Sequence, residues 1–203
     1  MSQYFASQGF AVLQPEFRGS SGYGDAWFQR NGFQSWRIAI GDVNDAGRWL
    51  VKQGIADPAR LAVVGWSYGG YAALQSAVIA PDLFKAVVAI APVTDLAMLK
   101  REAAGWTDQN LLQEFIGSGA NIIAGSPAPN AEKIKVPVLL IHGTMDANVE
   151  YSESVFMASR LRAAGGKVDL IIFKGLDHQL EDSDARATLL TASVGFISAT
   201  WKK

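Results

Sequence analysis

The stretch Leu61-Ala62-Val63-Val64-Gly65-Trp66-Ser67-Tyr68-Gly69-Gly70-Tyr71-Ala72-Ala73-Leu74 decides the fold. Its opening, Leu61 to Val64, is a short apolar and β-branched run, the pattern of a parallel strand covered on both faces. Its close, from Tyr71 to Val78, is made of good helix formers with small residues throughout. Between them Gly65-Trp66-Ser67-Tyr68-Gly69 is a G-x-S-x-G pattern in a strand–turn–helix setting. On such a turn the serine is held in a strained backbone conformation and its Oγ stands clear at the carboxyl end of the sheet. The flanking Gly65 and Gly69 are expected to avoid collisions between strand and helix. The N–H of Tyr68, at the helix N-terminus, is the candidate donor to an oxyanion formed beside Ser67.

Around this stretch the chain alternates strand-like and helix-like segments, which predicts an α/β fold: a mostly parallel sheet flanked by helices. Its 203 residues suffice for one domain with a sizeable core. The formal net charge is −1 and both signs are mixed along the chain, so neither nucleic acid nor a strongly charged partner is expected. Cysteine is absent, which excludes disulfides, thiol catalysis and thiolate metal sites. The start, Met1-Ser2-Gln3-Tyr4-Phe5, lacks the basic and apolar regions of a secretory signal. No apolar run reaches membrane-spanning length. The expectation is a soluble, cytoplasmic protein without membrane association.

Taken in order, Ser2 to Gln8 reads as a short helix and Phe10 to Pro15 as a strand closed by Pro15. Glu16 to Gly24 is a glycine-rich loop, and Asp25 to Phe33 offers a turn or two of helix. Ile40 to Gln53 is an amphipathic helix with Gly54 as its stop. Further strands are predicted at Lys85–Val93, Val136–His142 and Val168–Phe173, and helices at Ser152–Ala164 and Ser183–Trp201, the last with Ser183 as its cap. Thr94 to Glu132 carries no strand and reads as an irregular, partly helical insertion over the active-site face.

A serine nucleophile needs a base, and the base needs an orienting acid. The chain has two histidines. His178 follows the last strand, in Lys174-Gly175-Leu176-Asp177-His178, and Asp146 follows the strand before it. The order Ser67, Asp146, His178 is that of α/β-hydrolases, and all three fall just beyond the carboxyl ends of strands. Asp177 is the competing acid, but adjacent side chains in a loop rarely face each other. His142, at a strand end, is expected to bond backbone. No glycine-rich phosphate loop follows the first strand, so nucleotide binding is not expected, and neither metal nor cofactor is called for.

Four motifs occur in order: Phe17-Arg18-Gly19-Ser20-Ser21-Gly22-Tyr23-Gly24, Gly65-Trp66-Ser67-Tyr68-Gly69-Gly70-Tyr71, His142-Gly143-Thr144-Met145-Asp146-Ala147-Asn148-Val149 and Gly175-Leu176-Asp177-His178. Together they resemble the prolyl oligopeptidase family, in particular the catalytic domains of dipeptidyl peptidase IV-like enzymes and acylaminoacyl peptidases. The resemblance covers nearly the whole chain. It implies an α/β-hydrolase serine peptidase acting on short peptides, with Ser67, Asp146 and His178 as its triad and a backbone donor at Tyr68. It also implies that Asn148 and Val149 lie near the substrate, that Val93 and Trp106 line the pocket, and that the loop with Arg18 and Tyr23 is mainly structural.

The departures from the family pattern concern the start. The family's catalytic domain begins with further strands and a His-Gly-Gly-Pro-like loop that helps build the oxyanion hole. One of those strands lies between the Phe10 and Leu61 strands, and a β-propeller domain restricts access in many relatives. Three readings follow. The chain is a fragment of a longer peptidase, which is the preferred reading; or its first strand pairs directly with the Leu61 strand; or a second copy supplies a strand as a homo-oligomer. The function expected is peptide hydrolysis through an acyl-enzyme. The alternatives are a carboxylesterase using the same triad and an inactive remnant serving as an interaction module.

Overall fold

Period-2 alternation with apolar residues on both faces builds a sheet covered on both sides. The computed structural model describes residues 1–28 and 32–201. Among them β1 (Ala62–Trp66), β2 (Ala86–Ile90), β3 (Val138–Gly143) and β4 (Val168–Phe173) form one parallel sheet in the order β1-β2-β3-β4. Val87, Val138 and Leu140 face one side, where they pack with α4 (Tyr68–Ile79) and α8 (Tyr151–Ala163). Val88, Ile90, Leu139 and Ile141 face the other, against α1 (Ser2–Ser7) and α9 (Ser183–Trp201). Every residue of β2 and β3 is buried.

Five further helices stand among the described residues. They are α2 (Asp25–Phe28), α3 (Trp36–Lys52), α5 (Leu96–Glu102), α6 (Gln109–Ile116) and α7 (Ala120–Ala124). Short 3-10 turns stand at Phe33–Ser35, Pro58–Arg60 and Ala128–Lys133. Helices α5 to α7 occupy the Thr94–Glu132 segment, and Trp36, Tyr71, Leu96 and Ile116 bind them to α3 and α4 in one apolar cluster. Part of the Asp25–Phe33 helical expectation is α2; positions 29–31 lie outside the described residues. The last helix is capped by Asp182, whose Oδ1 accepts the Ala185 N–H at 2.8 Å, rather than by Ser183.

The predicted strand at Phe10–Pro15 does not form. Phe10 is anchored by aromatic contacts to Phe5 and Trp201. Beyond it Ala11 to Gln14 run irregular and exposed, with Val12 and Leu13 at 43% and 39% exposure. A strand needs a partner for its backbone groups, and β1 is not beside it. β1 is instead the edge of the sheet, half-buried along its length. Cavities of ≈ 410 Å³ and ≈ 270 Å³ separate the two, each lined by residues from Leu13–Gln14 and from Leu61–Val64. Direct pairing of the first segment with the Leu61 strand is thereby overturned. The apolar stripe of α3, including Val43, Ala46 and Leu50, looks into the smaller cavity.

Candidate active site

The turn after β1 carries the strain anticipated for it. Ser67 has φ +57° and ψ −121° and precedes the first residue of α4. A non-glycine residue held there costs about 1–3 kcal/mol. The conformation is locked from both sides: the Ser67 N–H donates to Ile90 O at 2.8 Å, and Ser67 O accepts from the Tyr71 N–H at 3.0 Å. A Cβ at Gly65 would lie 1.9 Å from Gly69 O, so glycine is required at 65 by the passing helix backbone. At Gly69 a Cβ would meet nothing within 4 Å. The expectation that Gly69 avoids a collision is therefore corrected: its backbone is the obstacle, not its missing side chain. The second close approach belongs to Gly70, whose Cβ would stand 3.0 Å from Ile90 O.

At the ends of β3 and β4 the two other predicted residues meet. His178 Nδ1 and Asp146 Oδ2 are 2.7 Å apart, and both residues are buried. Asp146 Oδ1 accepts the N–H groups of Asn148 and Val149, each at 2.9 Å. Burial would push the Asp146 carboxyl up, but donors from His142, His178, Val149 and Asn148 outweigh it and hold the group well below the usual carboxylate range. Asp177, the competing acid, is used elsewhere: its Oδ1 accepts the N–H groups of Gln179 and Leu180 at 3.0 and 3.1 Å. Gly143 lets the His178 loop close on β3, since a Cβ there would lie 2.3 Å from Leu176 O.

His142 has more to do than bond backbone. It is fully buried, and its Nε2 lies 2.9 Å from Val149 O and 3.1 Å from Asp146 Oδ2. Its Nδ1 lies 2.8 Å from Ser154 Oγ. A ring with its proton on Nε2 donates to both oxygens and accepts from the Ser154 hydroxyl. Sequence reasoning missed this contact with Asp146; the signal available was the four-residue spacing of the two residues around a strand-end glycine.

Ser67 and Tyr68 open onto a cavity of ≈ 390 Å³. Val93, Trp106, Asn148 and Val149, all expected there, line it. So do Phe17, Phe28, Phe33, Leu112 and Phe115, which the sequence reading did not single out. They come from the segment before α3, α2 and the Phe33–Ser35 turn included, and from α6, and no shared periodicity marks them. Phe17 stacks on Tyr68 at 5.7 Å, and Phe33 lies 5.1 Å from the same ring. Burial pushes the Tyr68 hydroxyl up to about 12, and its ring forms part of the cavity wall. Arg18, at the rim, is held by a bidentate pair with Asp42 at 2.6 and 2.9 Å. Among the described residues no hydrogen bond joins Ser67 Oγ to His178, and no cluster of His, Asp and Glu is shaped to hold a metal ion.

A strained serine after a parallel strand, with an Asp–His pair at the ends of later strands, defines the α/β-hydrolase class. The prolyl oligopeptidase family matches residues 1–203, and the chain belongs to that family. Dipeptidyl aminopeptidase BIII of Pseudoxanthomonas mexicana is 29% identical across 97% of this chain and 30% of its own length. The acylamino-acid-releasing enzyme of Arabidopsis thaliana is 30% identical across 88% of this chain and 25% of its own. A solved puromycin-hydrolyzing peptidase of Mycobacterium tuberculosis superposes with a TM-score of 0.82 at 31% identity, covering 92% of this chain and 29% of that one. The chain thus spans under a third of the length of these relatives. No described helix is long and apolar enough to cross a membrane.

Proposed function

We propose that residues 1–203 are a catalytic domain, with 94–132 as an insertion forming the pocket wall, that hydrolyses short peptides through an acyl-enzyme. His178 Nε2 takes the proton from Ser67 Oγ as the oxygen attacks the scissile carbonyl carbon. The Tyr68 N–H, one of the free donors in the first turn of α4, receives the developing oxyanion. The proton then passes from His178 to the leaving amine nitrogen, the C–N bond breaks, and water reverses the sequence to release the acid. Asp146 orients the ring and stabilises its charged form. The observation that carries this reading is the 2.7 Å Asp146–His178 bond, set beside a serine at φ +57°.

The cavity adds a substrate class. Among the described residues its mainly aromatic and aliphatic lining holds no Asp, Glu, Lys or His, and Arg18 is already held by Asp42. Apolar acyl-side residues are therefore preferred, and Asn148 and Val149 flank them. Paired turnover of peptide p-nitroanilides and p-nitrophenyl esters tests the reaction type. Amide turnover lost in Ser67→Ala supports the peptidase; ester turnover alone sinks it in favour of a carboxylesterase, which tolerates the single assigned oxyanion donor.

The free edge of β1 supports a second element: a strand from a second copy completing the sheet, by the same backbone pairing as in strand addition. Sedimentation over a concentration series tests it. A concentration-dependent dimer lost on Val64→Pro supports it, and a monomer throughout removes it. An assembled protein that turns over neither substrate would point instead to an interaction module.

A further inference from the structure

Three consecutive carbonyls of the loop that carries His178 are each taken by a side chain from outside it. The indole N–H of Trp66 donates to His178 O at 3.1 Å. From α9, Arg186 Nε donates to Leu180 O at 2.9 Å and Nη2 to Gln179 O at 2.6 Å. The two donors touch each other: the Arg186 guanidinium carbon stands 5.2 Å from the centre of the Trp66 ring, within the range of a cation–π contact. On the amide side Asp177 holds the N–H groups of Gln179 and Leu180. Leu180 is fully buried at φ +48°, a strained backbone that persists only where its surroundings fix it.

The position of Trp66 gives this contact its meaning. It is the last residue of β1, covalently next to Ser67. The nucleophile and the base come from opposite edges of the sheet, 111 positions apart in the chain. The Trp66 bond reduces that separation to one residue and one hydrogen bond. An error on the order of 1 Å in such an arrangement costs roughly a hundredfold in rate. We propose that Trp66 and Arg186 form a brace that positions His178 relative to Ser67. Neither acts as a catalytic residue, because both work through the backbone of the base loop. Trp66 fixes the loop to the nucleophile turn, and Arg186 holds the loop's next two carbonyls while covering the Trp66 ring.

The inference rests on the serine-hydrolase reading of Ser67 and His178, and its test separates the two. Turnover of an acetyl ester of p-nitrophenol is measured for the full chain, Ser67→Ala, Trp66→Phe, Arg186→Gln and the double variant, each with its melting temperature. Trp66→Phe keeps an aromatic ring and removes only the donor. Arg186 is exposed, so Arg186→Gln is expected to fold even if Trp66→Phe does not. Each single variant is expected to lose about tenfold in kcat, the size of one net hydrogen bond, with KM within about twofold. The double variant is expected to lose less than the product of the two, because both act on one loop. In proton NMR the low-field Nδ1–H signal of His178 should weaken in both single variants. Folded variants with wild-type kcat and an unchanged His178 signal overturn the brace, as does a fully multiplicative loss. Ser67→Ala turning over like the unmodified chain overturns the serine-hydrolase reading itself.

Discussion

The Asp146 carboxylate lies between two imidazoles, with Oδ2 2.7 Å from His178 Nδ1 and 3.1 Å from His142 Nε2. The His142 ring is sealed between β3 and α8, with Ser154 at its far nitrogen. His142 thus restrains the carboxylate that also holds His178, the base of the proposed mechanism. His142→Gln is predicted to lower kcat by about tenfold with little change in KM, the expected loss from one orienting hydrogen bond. Steady-state kinetics with an ester substrate reads this directly, and equal losses in kcat and thermal stability would assign His142 to packing alone.

Acid stability follows from the same carboxylate. The folded protein holds Asp146 below its ordinary value of 3.8. The unfolded chain therefore binds this proton first as pH falls. The stability this group confers is complete above about pH 4–5 and is lost toward and below the depressed folded value. Melting temperatures from pH 6 to pH 2 should fall more steeply in the unmodified chain than in Asp146→Asn. Parallel curves would show that the carboxylate is not held by its donors.

A second buried carboxyl has the opposite sign. Glu153 Oε2 accepts the N–H groups of Thr94 and Asp95, both at 2.8 Å, and lies 2.5 Å from Thr94 Oγ1. Oε1 has no partner among the described residues. Burial, aided by Glu102, pushes Glu153 up to about 8 despite these bonds. Between its ordinary value of 4.5 and about 8 the folded protein holds a proton that the unfolded chain has lost. Stability contributed by this group is present below 4.5 and declines as pH rises to about 8. Glu153→Gln should flatten that decline, raising the melting temperature at pH 8 relative to pH 5 by several degrees compared with the unmodified chain. Because Thr94 and Asp95 lead into α5, loosening should appear first in the pocket wall.

The glycines of the nucleophile turn separate cleanly. Gly65→Ala forces a methyl to within 1.9 Å of backbone oxygen and is predicted to cost at least about 3 kcal/mol, abolishing turnover. Gly69→Ala meets no atom within 4 Å and is predicted to stay within about 1 kcal/mol of the parent, with a small gain open to it in a helix. Chemical denaturation of the two variants checks the pair, and similar losses would contradict the geometry.

Much of this arrangement was legible in the sequence because it is local. The β4 and α9 boundaries follow from apolar periodicity and turn residues, and the order Ser67, Asp146, His178 places each side chain after a strand end. What escaped depends on distant neighbours. Phe10 to Pro15 has strand composition, but composition does not supply a partner, and its residues face a cavity instead of β1. Phe17, Phe33 and Phe115 converge on Tyr68 or on each other only after three separate segments fold together. Asp182 takes the cap that Ser183 was expected to provide, because either residue satisfies the sequence rule and only the backbone path decides.

The central claim is that Ser67 is a nucleophile activated by His178 and Asp146. Its most direct measurement is labelling of the folded chain with a fluorophosphonate, followed by mass spectrometry of the modified peptide. The account predicts one equivalent of label on Ser67, lost in His178→Ala and slowed at least about a hundredfold in Asp146→Asn. A folded chain that stays unlabelled, or one labelled at another serine, would contradict it.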